Sequence, residues 1–271
     1  MKIAVSIGDP NGIGIEVFLK ALKKINIDKK IEFNLFSPKK ILNQWYDILN
    51  FDANFHNLHN SNYKINIIDF DSDYKINLGK IDFEAGKIAV KSLDLAFSET
   101  INKKNNAILT LPISKESMYM TGWSYTGHTE YFAEKCNIQK QLMILFKDNL
   151  RCALVTTHKS IKEVPNLIKR EIIFEKILEF NKSLKYDFAI ENPKIAVLGL
   201  NPHSGENGNI GNEEIDEILP AIKKANYMGI NCSGAYPSDG FFAHNEFKNF
   251  DGYLAMYHDQ GHIPLKTVGF K

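Results

Sequence analysis

Three histidines each follow an apolar segment that is typical of a β-strand. They lie in LVTTHKS (His158), LGLNPHSGE (His203) and AMYHDQG (His258). A histidine on a strand face is commonly a hydrogen-bonded core residue, but three at strand ends, in loops rich in Gly, Asn, Asp and Thr, favour a metal or substrate site. Neutral imidazole is the commonest metal ligand in proteins. Their separations of 45 and 55 residues exclude a short local zinc motif, so only the fold can bring the three rings together.

Strand-like and helix-like segments alternate along the chain and must position these histidines. Apolar runs predict strands over residues 2–7, 31–36, 65–69, 107–113, 141–146, 151–157, 194–200 and 252–258. Amphipathic spacing predicts helices over 15–25, 84–103, 170–184 and 212–229, the last with a kink at Pro220. Such alternation is typical of βαβ units, so we predict an α/β fold with largely parallel sheets. Ligands bind at the carboxyl ends of the strands in such sheets.

Composition and charge exclude several classes of protein. The 271 residues are 44% hydrophobic and 24% charged, and 33 basic residues almost balance 32 acidic ones. There is no basic stripe, so we expect no nucleic-acid partner. No apolar segment approaches the ~18 residues that a membrane span needs. The three cysteines are scattered, which favours a reducing compartment, and the N-terminus lacks the pattern of a signal peptide. We therefore expect a cytoplasmic protein.

Two segments of the first half have both a structural and a functional interpretation. IGDPNGIGIE, residues 7–16, lacks the end of a Walker A loop and the spacing of a dinucleotide fingerprint. It is either a tight strand-to-helix turn or a loop that approaches an anion. In YTGHTEYFAEKC, Thr129 is either only a helix N-cap, beside a surface His128, or binds with His128 a phosphate or carboxylate group.

The last strand is followed by further polar residues that suit chemistry. Asp259 comes directly after His258, and it could ligate a metal, orient the histidine or act as a general base. Lys266 lies a few residues on and could hold a substrate anion through charge-assisted hydrogen bonds. We interpret the nearby His262 as incidental.

Seven segments, in their order along the chain, resemble the family of 4-hydroxythreonine-4-phosphate dehydrogenase, the NAD-dependent enzyme of pyridoxal phosphate biosynthesis. They are GDPNGIGIE, LPISKE, GHTEYFA, TTH, NPHSGENG with the following GNEE, YPSDGFF and AMYHDQGHIPLK. The segments GHTE, NPHSGE and AMYHDQG are the most specific ones. The resemblance runs from residue 3 to the C-terminus.

This resemblance implies a role for each matching residue. The divalent-metal ligands correspond to His158, His203 and His258, and the site is completed across the interface of a homodimer. Substrate-binding positions correspond to His128, Thr129 and Lys266. Catalytic positions near the reacting centre correspond to the acidic Asp239 and Asp259, and to Lys266 as well. The metal is zinc, cobalt, magnesium or manganese, of which imidazole ligands favour zinc or cobalt.

The resemblance also implies a reaction on a phosphorylated small molecule. The metal lowers the pKa of the C3 hydroxyl of 4-phosphohydroxy-L-threonine, and hydride passes from C3 to NAD. The resulting 2-amino-3-oxo-4-phosphooxybutanoate loses carbon dioxide to give 3-amino-2-oxopropyl phosphate. Three alternatives stay open: a dehydrogenase of erythronate or threonate 4-phosphate, an inactive truncated remnant, and a phosphotransacetylase-like acyltransferase, which has no need of three metal histidines.

The implied architecture is that of the isocitrate and isopropylmalate dehydrogenases. It has two α/β domains with mostly parallel sheets and an active-site cleft between the domains. We expect the first domain over residues 1–112 together with 236–271, and the second, with the metal and dimer contacts, over 113–235. Members of the family continue beyond the segment that matches IPLK, so we expect the C-terminal part of the first domain to be missing from this sequence.

Overall fold

The chain folds into two compact α/β units, each built on one β-sheet. The computed structural model describes residues 1–24, 31–50, 63–138 and 141–269. The units are Met1–Gln139 and Lys140–Lys271. Among the strands of the described residues, all pairs are parallel except the one at an edge of the second sheet. The predicted fold class, an α/β protein with mostly parallel sheets, is confirmed.

The first unit contains a four-stranded parallel sheet in the order β3-β2-β1-β4. Its strands are β1 (Lys2–Ser6), β2 (Ile31–Phe36), β3 (Tyr63–Ile68) and β4 (Ala107–Thr110). Its helices are α1 (Gly14–Lys24), α2 (Lys39–Ile48), α3 (Phe83–Ile101), α4 (Lys115–Met120) and α5 (His128–Lys135). Apolar residues of β1 and β2, such as Val5 and Leu35, pack against α1 and α2 in the core.

The second unit contains a five-stranded sheet in the order β5-β6-β9-β7-β8. Its strands are β5 (Ile144–Lys147), β6 (Leu150–Leu154), β7 (Ile195–Leu198), β8 (Cys232–Tyr236) and β9 (Gly252–Ala255). Its helices are α6 (Val164–Leu167), α7 (Arg170–Tyr186), α8 (Leu219–Tyr227), α9 (Ser238–Ala243) and α10 (His258–Gly269). The strand β5 pairs antiparallel with β6.

The two units divide the chain differently from the expected domains. Residues 236–271 belong to the second unit rather than the first, because β9 occupies the centre of its sheet between β6 and β7. Residues 113–138 belong to the first unit, because α4 packs closely on α3. A Cβ on Gly86 of α3 would lie 2.1 Å from the carbonyl oxygen of Ser117, so this approach requires glycine.

Most predicted elements are present, with differences at their ends. The predicted helix over 212–229 is divided ahead of Pro220, into a π-helical turn Glu214–Ile218 and α8. Residue 25, the predicted end of the first helix, lies outside the described residues. The elements that were not predicted are β8 and the helices α2, α4, α6, α9 and α10. Within the described ranges no helix is long and apolar enough to cross a membrane.

We predict that Leu254→Ala strongly destabilises the protein. Leu254 lies on β9, is fully buried and contributes to the main core of the second unit. Its truncation should lower the free energy of unfolding by about 2–5 kcal/mol through lost burial and a cavity. Tyr227→Ala is the control, since Tyr227 is 94% exposed. Chemical denaturation measures the free energy of unfolding of both variants. An equal loss in Leu254→Ala and Tyr227→Ala would contradict a central position for β9.

Candidate metal and substrate site

The predicted site residues of the second unit follow four neighbouring parallel strands. His158 lies beyond the carboxyl end of β6, and His258 lies beyond the end of the neighbouring β9. His203 follows β7 and Asp239 follows β8 in the same way. Since parallel strands point the same way, all four carboxyl ends meet at one edge of the sheet. The fold therefore brings these residues, far apart in sequence, to the edge where α/β sheets bind ligands.

His258 has the surroundings of a metal-ligating imidazole. Its Nδ1 lies 2.7 Å from Oδ1 of Asp259, so Nδ1–H donates to the carboxylate and Nε2 keeps its lone pair. Metal-bound histidines are commonly oriented by a carboxylate in this way. The ring of His158 is a near neighbour, with its centroid 6.0 Å from that of His258.

His262, which the sequence analysis took as incidental, is part of this cluster. It is 3% exposed, and its Nδ1 lies 3.0 Å from Nε2 of His258. Its own Nε2 is buried without a hydrogen-bond partner among the described residues. Burial lowers the pKa of His262, and the neighbouring His258 adds to this effect. The four-residue spacing of the two histidines, one helical turn, was the signal that could have identified it.

The loop that carries His203 has an uncommon backbone. The turn Pro202–Gly208 includes five successive residues, His203 to Asn207, with positive φ angles between 44° and 75°. Four of the five are not glycine, and such residues cost free energy in the left-handed region unless other contacts hold them. Backbone strain of this kind is concentrated at functional sites.

A buried carboxylate holds this loop in place. Glu214 is 2% exposed, and its oxygens accept hydrogen bonds from the backbone N–H groups of Leu200 and Asn201, at 2.7 and 2.8 Å. The Nδ2 of Asn201 also donates to Glu214, at 2.9 Å. Ser204 fastens the other side of the loop by donating to the carbonyl of Ala235. Glu214 therefore fixes where the loop with His203 leaves β7.

The remaining predicted residues of this unit are exposed. Asp239 is the second residue of α9, and Lys266 lies on α10, about two turns beyond His258. The charge of Lys266 also lowers the pKa of His262, which places it within electrostatic range of the histidines. Asp239 and His203 share the sheet edge with the other residues, and no hydrogen bond joins them to His158 or His258 in the described part of the chain.

The imidazoles of His158 and His258 are suitable ligands for a divalent metal, but the described residues place no third predicted ligand beside them. The candidate donor atom is Nε2 of His258, beside the ring of His158, and imidazole suits zinc or cobalt. In this structure that nitrogen accepts a hydrogen bond from Nδ1–H of His262, at 3.0 Å, which a bound metal ion would replace. Within the described residues, no group of three or more His, Cys, Asp and Glu side chains is spaced to hold a metal ion. The role of His203 as third ligand stays a prediction.

In the first unit, His128 and Thr129 open the helix α5. The N-cap is Gly127, and it makes no side-chain capping bond, so the alternative that Thr129 is only an N-cap is wrong. The Nε2 of His128 is buried without a partner among the described residues, and burial lowers the pKa of the ring. A neutral imidazole with an unsatisfied nitrogen is suited to bind a polar ligand.

An aromatic cluster holds α5 in position. Tyr131 is 1% exposed, stacks on Trp123 with ring centroids 4.9 Å apart and donates a hydrogen bond to Asp94. The sequence analysis did not assign these residues. They fix the helix that presents His128 and Thr129.

The Gly-rich loop of residues 7–16 makes its contacts within the first unit. A Cβ on Gly8 would lie 2.1 Å from the carbonyl oxygen of Pro112, at a φ of +64°, so the turn requires glycine. The Oδ1 of Asp9 accepts from the N–H of Asn11. The side chain of Asn11 in turn bonds Tyr74, Lys80 and Asn77. These contacts favour the interpretation as a tight structural turn.

The buried cysteines are not candidates for nucleophiles. Cys152 and Cys232 are buried, and burial raises their pKa values to about 12 and about 11. Both thiols therefore stay protonated near neutral pH. Both serve as core residues.

Together these features define a two-unit α/β protein that presents a cluster of histidines and carboxylates at the carboxyl edge of its second sheet. The sequence profile of the family described as "Pyridoxal phosphate biosynthetic protein PdxA" matches residues 28–271, and the chain belongs to this family. The resemblance stated from the sequence is thereby confirmed.

Relatives and solved structures extend over almost the whole chain. A protein of Sulfurihydrogenibium sp. named 4-hydroxythreonine-4-phosphate dehydrogenase is 40% identical over an alignment of 278 positions, which covers 100% of this chain and 84% of the relative. A protein of Oceanobacillus iheyensis, provisionally named D-threonate 4-phosphate dehydrogenase, is 34% identical over 99% of this chain and 83% of its own length. The crystal structure of 4-hydroxythreonine-4-phosphate dehydrogenase from Klebsiella pneumoniae aligns with a TM-score of 0.84 at 30% identity, over 99% of this chain and 83% of that one. These structures share the isocitrate dehydrogenase-like fold, as predicted.

We predict that Glu214→Gln loosens the loop that carries His203. At present the carboxylate accepts hydrogen bonds from N–H groups of Leu200 and Asn201. In the variant, the amide NH2 would face one of these donors, and the lost hydrogen bonding should cost about 1–3 kcal/mol of stability. Hydrogen exchange at the amides of Leu200 and Asn201 should become faster. Glu246→Gln is the control, because Glu246 is exposed and its carboxylate accepts a hydrogen bond from the exposed Asn249. Unchanged exchange in Glu214→Gln would contradict the anchoring role.

Proposed function

We propose that this protein is an NAD-dependent and divalent-metal-dependent 4-hydroxythreonine-4-phosphate dehydrogenase, an oxidoreductase of pyridoxal phosphate biosynthesis. The observation that carries the proposal is the convergence of His158, His203, His258 and Asp239 on four adjacent strand ends in a chain of the PdxA family. The name of the 40% identical relative supports the same substrate. The reaction oxidises the C3 hydroxyl of 4-phosphohydroxy-L-threonine.

In this proposal His158, His203 and His258 hold the metal. When bound, a divalent ion supplies Lewis-acid polarisation of the substrate hydroxyl. Asp259 keeps the Nδ1 proton on His258, so that Nε2 would be the metal-binding nitrogen once a metal ion replaces its hydrogen bond from His262. The third imidazole comes from His203, or from the equivalent residue of a second copy if the site is shared across a homodimer.

The charged residues move the proton and hold the substrate anion. The hydroxyl proton passes to a carboxylate, for which Asp239 and Asp259 are the candidates because both are exposed at the sheet edge. When bound, NAD would supply the acceptor for the C3 hydride. No residue of this chain is assigned to NAD.

Lys266 binds a substrate anion through its positive charge. In the first unit, His128 and Thr129 bind the substrate, for which the unpaired Nε2 of His128 is suited. After oxidation, the bond to the carboxylate carbon breaks and its electron pair enters the adjacent ketone. Protonation of C2 then gives 3-amino-2-oxopropyl phosphate and carbon dioxide.

A second candidate differs only in the substrate. The provisional name of the Oceanobacillus relative favours a dehydrogenase of threonate 4-phosphate, or of the related erythronate 4-phosphate. These acids carry the same phosphate and the same oxidisable carbon, with a hydroxyl in place of the amine. The alternative that the protein is inactive is tested directly by an assay of the wild type.

We propose further that the protein acts in the cytoplasm as a homodimer. The three cysteines are free, which supports a reducing compartment. The homodimer rests on the resemblance to the family.

The decisive experiment follows NADH absorbance with 4-phosphohydroxy-L-threonine, D-threonate 4-phosphate and D-erythronate 4-phosphate in parallel. We expect turnover that chelation abolishes and added zinc or cobalt restores. Lys266→Met should raise KM more than it lowers kcat, because a side chain that binds the substrate anion equally in ground and transition state acts on KM. His203→Ala should lower kcat by more than about 100-fold.

Glu246→Gln serves as the matched surface control and should keep wild-type rates. Preference for one of the two sugar acids by the wild type would replace the first candidate by the second. Turnover that persists after chelation would contradict the metal. Absence of turnover with all three substrates, in a folded and zinc-supplemented protein, would contradict both candidates.

A further inference from the structure

One glutamine side chain connects three of the segments that carry the proposed site. Gln260 is the third residue of α10, directly after His258 and Asp259, and it is 9% exposed. It faces the interior, whereas Asp259 is exposed. The proposed reaction gives Gln260 no role.

All hydrogen-bonding groups of this side chain are satisfied at short distances. Its oxygen Oε1 accepts from the backbone N–H of Met256, at 2.6 Å. Its nitrogen Nε2 donates to the carbonyl oxygen of Gly199, at 2.6 Å, and to Oγ of Ser238, also at 2.6 Å. A primary amide has two N–H donors and one carbonyl oxygen, so both donors are in use.

Each partner of Gln260 belongs to a different loop at the carboxyl edge. Met256 follows β9 and precedes His258, and Gly199 follows β7 and leads to His203. Ser238 begins α9 and directly precedes Asp239. One buried amide therefore links the start of all three functional loops.

The strands themselves do not depend on this side chain. The N–H of Gly199 bonds the carbonyl of Tyr236, at 2.9 Å, and the N–H of Thr156 bonds the carbonyl of Met256, at 3.1 Å. These backbone bonds keep β7, β8, β6 and β9 in register without Gln260. Its contribution is consequently to the loops beyond the strand ends rather than to the sheet.

We propose that Gln260 is a positioning residue that sets the relative places of His203, Asp239 and His258. This inference rests on the proposed function for what the three residues do, but not for the linkage itself. A side chain with the length of glutamine, two donors and an acceptor is required, because glutamate lacks the donors and methionine lacks both kinds of group.

The test compares Gln260→Met with Gln44→Met. Gln44 is a matched control in the first unit, because its Nε2 donates to the carbonyls of Lys40 and Tyr74 and its Oε1 accepts from Ile76. Both substitutions remove three hydrogen bonds of a glutamine side chain. Only the first removes them from the proposed site.

Hydrogen exchange of the metal-free protein reports on the linkage without any assay of activity. In Gln260→Met we expect faster exchange over residues 199–209, 237–243 and 256–262 together, with unchanged protection of β7 and β9. Gln44→Met should leave these three segments as in the wild type. Faster exchange confined to 256–262, or the same pattern in both variants, would overturn the proposal.

Cobalt titration, followed by the visible absorption of the bound ion, reports on the consequence for the site. We expect Gln260→Met to weaken Co²⁺ binding about 10- to 100-fold, with kcat falling more than KM rises, and Gln44→Met to leave both unchanged. Weakened binding in both variants, or in neither, would overturn the positioning role. If the wild type neither binds Co²⁺ nor oxidises the three phospho acids, the proposed function fails, and hydrogen exchange still decides the linkage.

A milder variant keeps the test valid if Gln260→Met does not fold. Ser238→Ala removes one of the three bonds and leaves Gly199 and Met256 bonded. We expect faster exchange over residues 237–243 alone. Wild-type exchange in that segment would contradict the linkage to α9.

Discussion

The direction of four parallel strands is the constraint on which the proposed site depends. Because β6, β9, β7 and β8 run the same way, the loops after them all start at one edge of the second sheet. His158, His258, His203 and Asp239 lie between residues 158 and 258, and no local motif could bring them together. The central place of β9 is essential, since it puts His258 between the loops that follow β6 and β7.

The part of this arrangement that the sequence predicted is the part in which one sequence pattern fits only one kind of structure. Short apolar runs such as 194–200 are buried strands, and a polar loop that contains histidine after such a run has few structural explanations. The α/β class and the family followed from the alternation and the seven segments. That His158 and His258 are neighbours could not be predicted, because it depends on the order of the strands in the sheet. Hydrophobic periodicity identifies strands but does not give their order.

The parts that were not predicted lack such a pattern. The strand β8, with the sequence CSGAY, is short and only its first residue is buried, so it has no apolar run. Helix α10 contains Gly261 and Pro264, which argue against a helix in sequence analysis. Residues 236–271 were expected in the first domain by analogy with the family. In the structure they belong to the second unit, because β9 pairs with β6 and β7. The roles of Gln260 and Glu214 depend on buried side-chain hydrogen bonds, which are visible only in the folded chain.

The measurement that tests the account most directly is X-ray absorption spectroscopy of the zinc-loaded protein. The account predicts nitrogen and oxygen ligands at about 2.0 Å, with the outer-shell scattering of imidazole rings and no sulfur at about 2.3 Å. His258→Ala should lower the number of imidazole rings. A sulfur ligand, or an imidazole signal that is unchanged in His258→Ala, would contradict a metal centre at the carboxyl edge of the second sheet.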